Sequence, residues 1–157
     1  MGFDYSVEEI DKKLRISIEI FYKNDWVLIE NNVSERSISH KLAEYLQVEF
    51  KDWNVDCEYN RKNNDIKKLE GISECSEQRA TDRIYPDIIV HERNLDKNLV
   101  VIEVKSSADE ETCDIEKLKK LTSTKYDFHY KVGYFIRFSH ENGKYQIRRF
   151  RSGREVS

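Results

Sequence analysis

The apolar residues of this chain follow two different periods, helical in its first third and strand-like after it. Val7, Ile10, Leu14, Ile18 and Phe21 recur at three- and four-residue spacing. They stand behind Ser6-Val7-Glu8-Glu9, a capping box in which serine and glutamate each satisfy the other's free backbone N–H. The pattern predicts an amphipathic helix over about residues 6–23. A second helix is expected from its cap, Ser34, to about Phe50, with Ile38, Leu42, Tyr45, Leu46 and Glu49 on adjoining turns. Between the two lies the apolar run Trp26-Val27-Leu28-Ile29, which is too short to decide between a strand and an extended connector.

From residue 54 the period changes to that of strands. Asn54–Tyr59 reads as one strand, and Ile84–His91 and Leu99–Lys105 read as an antiparallel hairpin around the polar turn 92–98. Asp114 is placed to cap a short helix that carries Ile115, Leu118 and Leu121. Lys131–Ser139 is a further apolar strand, and Asn142-Gly143 turns it into a last strand, Lys144–Phe150. The segment of about residues 61–82 has only Ile66, Leu69 and Ile72 as apolar anchors. It is expected to be a long flexible loop, with room for one helical turn near Ile66–Leu69. The order α, α, β, β, β, α, β, β predicts a single α/β domain over residues 1–157, with a central mixed sheet flanked by helices.

Size and charge narrow the classes. A chain of 157 residues supports one core. Hydrophobic residues make up 38% and charged residues 36%, so the core is modest and the surface heavily solvated. No stretch reaches the roughly 20 apolar residues of a membrane helix, and Met1-Gly2-Phe3-Asp4-Tyr5 lacks the basic-then-apolar signature of a signal peptide. A cytoplasmic protein without a membrane partner is the expectation. Cys57, Cys75 and Cys113 are odd in number and form no Cys-x-x-Cys pair, which suits reduced thiols and speaks against structural zinc. The net charge of −3 argues against holding nucleic acid by bulk electrostatics. A basic run at the end (Lys144, Arg148, Arg149, Arg151, Arg154) fits phosphate contacts and a solvated tail equally well.

Candidate chemistry concentrates at the hairpin. Side chains alternate along a strand, so Leu99, Val101, Glu103 and Lys105 share one side, while Val100, Ile102 and Val104 form a wholly apolar other side. Charge at the end of such a central strand is costly unless it is paired or metal-bound. Asp87 follows Pro86 at the entry of the partner strand, and pairing within the hairpin brings it to the same end as Glu103. Two converging carboxylates suit a hard divalent ion such as Mg2+ or Mn2+. Lys105 is placed to orient a water or to neutralise developing negative charge. Glu35 projects from the same rim, although an acid in a helix's first turn is also what the helix dipole favours. Asp56 and Glu58 share a strand face and would either form a second acidic shell or pair with Arg61 or Lys62. His40, His91, His129 and His140 are scattered and read as structural or surface residues. No Gly-rich phosphate loop or serine-nucleophile elbow is present.

Pro86-Asp87, fifteen residues, then Glu103-Val104-Lys105 resembles the PD-(D/E)XK motif of the restriction-endonuclease-like nucleases. The order α-β-β-β-α-β over about residues 34–139 is similar to that family's core. The resemblance implies a Mg2+-dependent phosphodiesterase acting on nucleic acid, DNA ahead of RNA. It implies Asp87 and Glu103 as metal ligands, the backbone carbonyl of Val104 as a third, and Lys105 near the nucleophilic water. Glu35 matches the acid often found on the family's first core helix. Cutting both strands of a duplex with so small a chain implies a homodimer or a targeting subunit. The competing class is a non-catalytic binding or regulatory subunit of the same fold, its carboxylates purely structural.

Overall fold

The computed structural model describes residues 4–59, 61–62, 65–66, 85–95 and 97–157. Helix α1 spans Val7–Glu30 and α2 spans Glu35–Glu49. Both start where the capping residues place them. Ser6 Oγ accepts from the Glu9 N–H and Glu9 Oε1 from the Ser6 N–H, each at 3.1 Å, and Ser34 Oγ accepts from the Ser37 N–H. Trp26-Val27-Leu28-Ile29 is helical, carrying α1 past a kink at Asp25 (φ −126°, ψ 21°), whose carboxylate accepts from the Tyr45 hydroxyl of α2. Helical spacing turns Trp26 and Ile29 inward and leaves Val27 exposed, so the run serves one face rather than two.

The strands are β1 (Asn54–Cys57), β2 (Arg61–Lys62), β3 (Asp65–Ile66), β4 (Ile88–Glu92), β5 (Lys97–Lys105), β6 (Val132–Phe138), β7 (Tyr145–Arg151) and β8 (Arg154–Val156), with α3 (Thr112–Thr122) between β5 and β6. Six of them form one mixed sheet in the order β1-β4-β5-β6-β7-β8. Only the β5–β6 pairing in it is parallel, as a strand–helix–strand crossover allows. β2 and β3 make a separate two-stranded ladder inside the expected loop, so Ile66 is extended rather than helical. Most of the rest of the 61–82 expectation lies outside the described residues. β8 was not expected. Ser152 (φ 51°) and Gly153 (φ 83°) both take the left-handed conformation that a two-residue hairpin turn requires, and they fold the basic end back on β7.

Helices cover both faces, which is why β5 and β6 are apolar on both sides. On one face Ile88, Val90, Val100, Ile102, Val104, Tyr134 and Ile136 pack against α1 and α2. On the other, Ile89, Val101, Phe135 and Phe150 pack against Ile115, Leu118 and Leu121 of α3. Gly133 lets α3 approach closely, since a Cβ there would stand 3.0 Å from Thr122 Cγ2 and 3.3 Å from Leu118 Cδ2. Leu99 departs from the expected alternation. The ladder pairs Val90 with Val100 but His91 with Asn98, a bulge that turns Leu99 to the α1–α2 side with Val100.

α3 begins at Thr112 with Glu111 at the cap and no side-chain cap bond, so Asp114 lies inside the first turn and its carboxylate is used elsewhere. Cys113 is disulfide-bonded, which corrects the expectation of three reduced thiols, while Cys57 is free. Spacing along the chain could not have shown this, because a disulfide requires only that two Cα atoms lie within about 7 Å in space. Cys75 lies outside the described residues. Among the described residues no helix is long and apolar enough to cross a membrane.

Candidate metal centre

The β4–β5 ladder runs out at Ile88 paired with Ile102, and one step beyond it Asp87 meets Glu103. Side chains there take over from the backbone ladder. The Asp87 N–H donates to Glu103 Oε2 at 2.9 Å, and the Val104 N–H donates to Asp87 Oδ2 at 2.8 Å. Buried Pro86, which has no N–H to lose, sits where the chain enters the site. The two acids therefore share one end of the sheet, each held by the other's strand.

Glu103 is 1% exposed. Its Oε1 accepts from Lys117 Nζ of α3 at 2.8 Å, and Lys117 is itself only 3% exposed. The two remaining expected residues sit at the rim. Lys105 Nζ is bound to Asp114 Oδ2 at 2.9 Å, and Glu35 Oε2 accepts from the Ser106 N–H at 2.8 Å. Residues from α2, β4, β5 and α3 thus meet where β5 ends.

The electrostatics are those of acids crowded into a dry place. Burial pushes the Asp87 carboxyl up to about 6, with the charges of Asp114 and Glu35 adding to the effect and the Val104 N–H and Lys117 opposing it. Glu103 is pushed well above the ordinary carboxylate range, first by burial and then by Asp87, against the pull of Lys117. For Lys105 burial favours the neutral amine. The Asp114 hydrogen bond and the charges of Asp114, Glu35 and Asp109 outweigh it and raise its pKa, so Lys105 is a cation and not a base.

One buried and one partly buried carboxylate, within hydrogen-bonding reach of each other's strand, supply the hard oxygen donors that Mg2+ or Mn2+ takes, and such ions are often held by one or two carboxylates plus waters. The Val104 peptide lies against Asp87, which puts its carbonyl within the same few atoms of chain. Among the described residues no set of three or more acidic, histidine or cysteine side chains is grouped to hold a metal. All four carboxylates already accept hydrogen bonds; Asp87 and Glu103 are the two that lie against each other's strand, while Glu35 and Asp114 stand at the rim on the Ser106 amide and on Lys105.

No protein-family model matches the chain, and no curated protein matches it.

Other candidate residues fall outside this cluster. Asp56 binds His91 Nε2 at 2.7 Å and Arg93 through both its oxygens, and the side chains of Arg61 and Lys62 lie outside the described residues. The Glu58 amide donates to the Asp87 carbonyl at 3.1 Å, yet its carboxylate turns to Arg36 at 3.3 Å. Arg148 pairs with Glu111 and Glu155, and Arg149 with Asp11. That part of the basic run is internally compensated.

Lys117 and Asp114 are the residues that reading the sequence missed. They were legible in one respect: 114, 117, 118 and 121 lie on one side of a helix, so Asp114 and Lys117 flank the stripe of Leu118 and Leu121 that packs on the sheet. A lysine beside such a stripe usually extends to water. Nothing in the sequence says that this one turns inward.

Proposed function

We propose that the chain is a metal-dependent nuclease with a restriction-endonuclease-like fold, hydrolysing phosphodiester bonds of DNA ahead of RNA. The reading rests above all on one observation: the carboxylates of buried Glu103 and partly buried Asp87 lie together at one end of a central sheet, each bonded to the other's strand. The chain order α2, β1, β4, β5, α3, β6, with the two-residue strands β2 and β3 between β1 and β4, supports it, since α-β-β-β-α-β is the order expected around the Pro86-Asp87 and Glu103-Val104-Lys105 motif.

A bound Mg2+ or Mn2+ would supply the chemistry of activating water and of stabilising charge on phosphoryl oxygens. Asp87, Glu103 and the Val104 carbonyl would hold it. Lys105 remains charged and sits two residues beyond Glu103, so it favours negative charge at the rim and can donate to an attacking water or a phosphate oxygen. A cleft of about 570 Å3, lined in part by Ser106, Ser107, Arg137, His140 and Lys144, adjoins this end of β5 and offers a path for a phosphate backbone. A homodimer or a targeting subunit would supply the second cut and the specificity that so small a domain lacks.

The experiment is cleavage of plasmid and of single-stranded DNA in Mg2+ and Mn2+. Wild type is expected to cleave and Glu103→Ala to lose at least about a hundredfold in rate, with Asp56→Asn as the control that retains activity. A second reading, a non-catalytic subunit of the same fold, is favoured by the closed Lys105–Asp114 and Lys117–Glu103 ion pairs. Metal-independent binding of DNA without cleavage would select it.

A further inference from the structure

We propose that Lys117 is a tethered counter-cation that holds the place of the divalent ion beside Glu103, so that metal loading must displace its ammonium. The inference rests on reading Asp87 and Glu103 as the metal site. Lys117 comes from α3, on a different element from the motif, and reaches the deepest carboxylate oxygen of the cluster at 2.8 Å. Lysine is almost never so fully buried unless it is paired, and its partner here is the most buried acid of the site.

Lys105, adjacent in the motif, is drawn away by Asp114. The cation serving Glu103 is therefore supplied by the helix. The ammonium also acts on Asp87, whose ionised form it favours, so it serves both acids as a metal ion would. A compact point charge on a flexible four-carbon stem can do this and still leave, whereas a bidentate guanidinium would tend to lock. With the ammonium in place, neither acid depends on metal to remain buried, and the domain folds before it is loaded.

Competition has a sign: removing the ammonium should tighten metal binding, whereas loss of a lysine needed only to hold Glu103 in place would leave it unchanged or weaken it. If the form with Glu103 open is a tenth or less of the population, the apparent metal affinity is lowered roughly tenfold or more. Calorimetric titration with Mn2+ alone, paired with thermal unfolding in chelator and in Mn2+, reads this directly. Lys117→Met is expected to bind Mn2+ roughly tenfold more tightly than wild type, to melt lower in chelator, and to gain more on adding Mn2+. Lys117→Gln keeps a donor to Glu103 without the charge and maintains the test if the Met variant does not fold. Lys117→Arg keeps the cation and is expected to bind Mn2+ no more tightly than wild type.

Unchanged or weaker Mn2+ binding in the folded Lys117→Gln variant overturns the proposal. Equal binding by wild type and Asp87→Asn overturns the metal site itself and the inference with it. A wild type that binds and an Asp87→Asn that does not isolate the failure to Lys117.

Discussion

Two polar clusters stand four residues apart on the same stretch of chain, one at His91 near the far end of β4 and one at Asp87 just before it. In the first, one carboxylate, Asp56, accepts from His91 and from Nε and one terminal nitrogen of the Arg93 guanidinium. In the second, four carboxylates (Glu35, Asp87, Glu103 and Asp114) meet two ammonium groups, Lys105 and Lys117. The consequences are opposite. Burial alone would raise Asp56, but its bonds to His91 and Arg93 prevail and hold it well below the usual carboxylate range, whereas Asp87 and Glu103 are pushed above it. A network that only has to hold β1 to β4 can match each acid to its donors. Keeping acid in excess and out of water costs stability, and sites that must bind or react are where that cost is tolerated.

The widest gap between the two clusters should appear on neutralising one acid in each. Asp56→Asn replaces an acceptor facing a buried histidine and a guanidinium, and is expected to cost about 3 kcal/mol, lowering Tm by roughly 10 °C. Asp87→Asn, in chelator at pH 8, removes a charge the fold pushes against and is expected to cost nothing or to stabilise by about 1–2 kcal/mol. Urea unfolding of both variants decides. Equal losses would mean that the two clusters are alike.

The pH dependence of metal-free protein separates them next. Asp87 is raised from an ordinary value near 3.8 to about 6, so between those values the folded state holds more protons than the unfolded chain. Its contribution is fully present below about pH 4 and is lost as pH rises through 6, on the order of 2–3 kcal/mol, with Glu103 acting in the same direction. Asp56 is depressed, so its contribution is present above about pH 4 and lost as pH falls below it. Chemical denaturation in EDTA between pH 3 and 8 is expected to show an acid-side loss that Asp56→Asn removes and a decline from pH 4 to 7 that Asp87→Asn flattens. Saturating Mn2+ should flatten the same decline, because a divalent ion favours the ionised acids. A decline that survives Asp87→Asn unchanged assigns it to another group.

The two clusters also differ in how far they could be read from the residues alone. Asp87 and Glu103 could be brought together on paper because a proline marks a strand entry, an antiparallel hairpin sets register, and strand alternation sets facing. The excess of acid at the sheet's end was legible for the same reason. His91 with Asp56 was not: that the 54–59 strand neighbours the Asp87 strand is expected, but the register that brings Asp56 to His91 across more than thirty residues leaves no local pattern. Lys117 was hidden by its type, being a residue normally assigned to solvent. Leu99 was misplaced because one bulge reverses the facing of what precedes it, and a bulge leaves no period to detect. β8 escaped because its charged residues resemble a tail, although Ser152-Gly153 is a turn signal.

Lys105 tests the boundary of the acidic cluster. Its pair with Asp114 is mostly buried, at 15% and 17% side-chain exposure. Lys105→Met is expected to cost about 1–2 kcal/mol by leaving Asp114 without its ammonium and, if the lysine assists the reaction, to slow cleavage by at least about tenfold. A stable variant with undiminished cleavage would assign Lys105 to structure and leave Lys117 as the one ammonium in the site.

The smallest effect is expected at Glu58, which lies between the clusters and belongs to neither. Its backbone matters, for the amide donates to the Asp87 carbonyl and φ is 50°, in the left-handed region. Its carboxylate is exposed and meets Arg36, itself 78% exposed, and such surface pairs contribute little. Glu58→Gln is expected to change stability by less than about 0.5 kcal/mol and to leave Mn2+ binding as it was. Glu58→Gly should gain a few tenths of a kcal/mol by relieving the left-handed backbone, less the freedom it adds to the unfolded chain. Thermal unfolding and a Mn2+ titration of the Gln variant are enough to check this. A tenfold loss of Mn2+ affinity would carry the acidic cluster out to β1 and erase the line between the two regions.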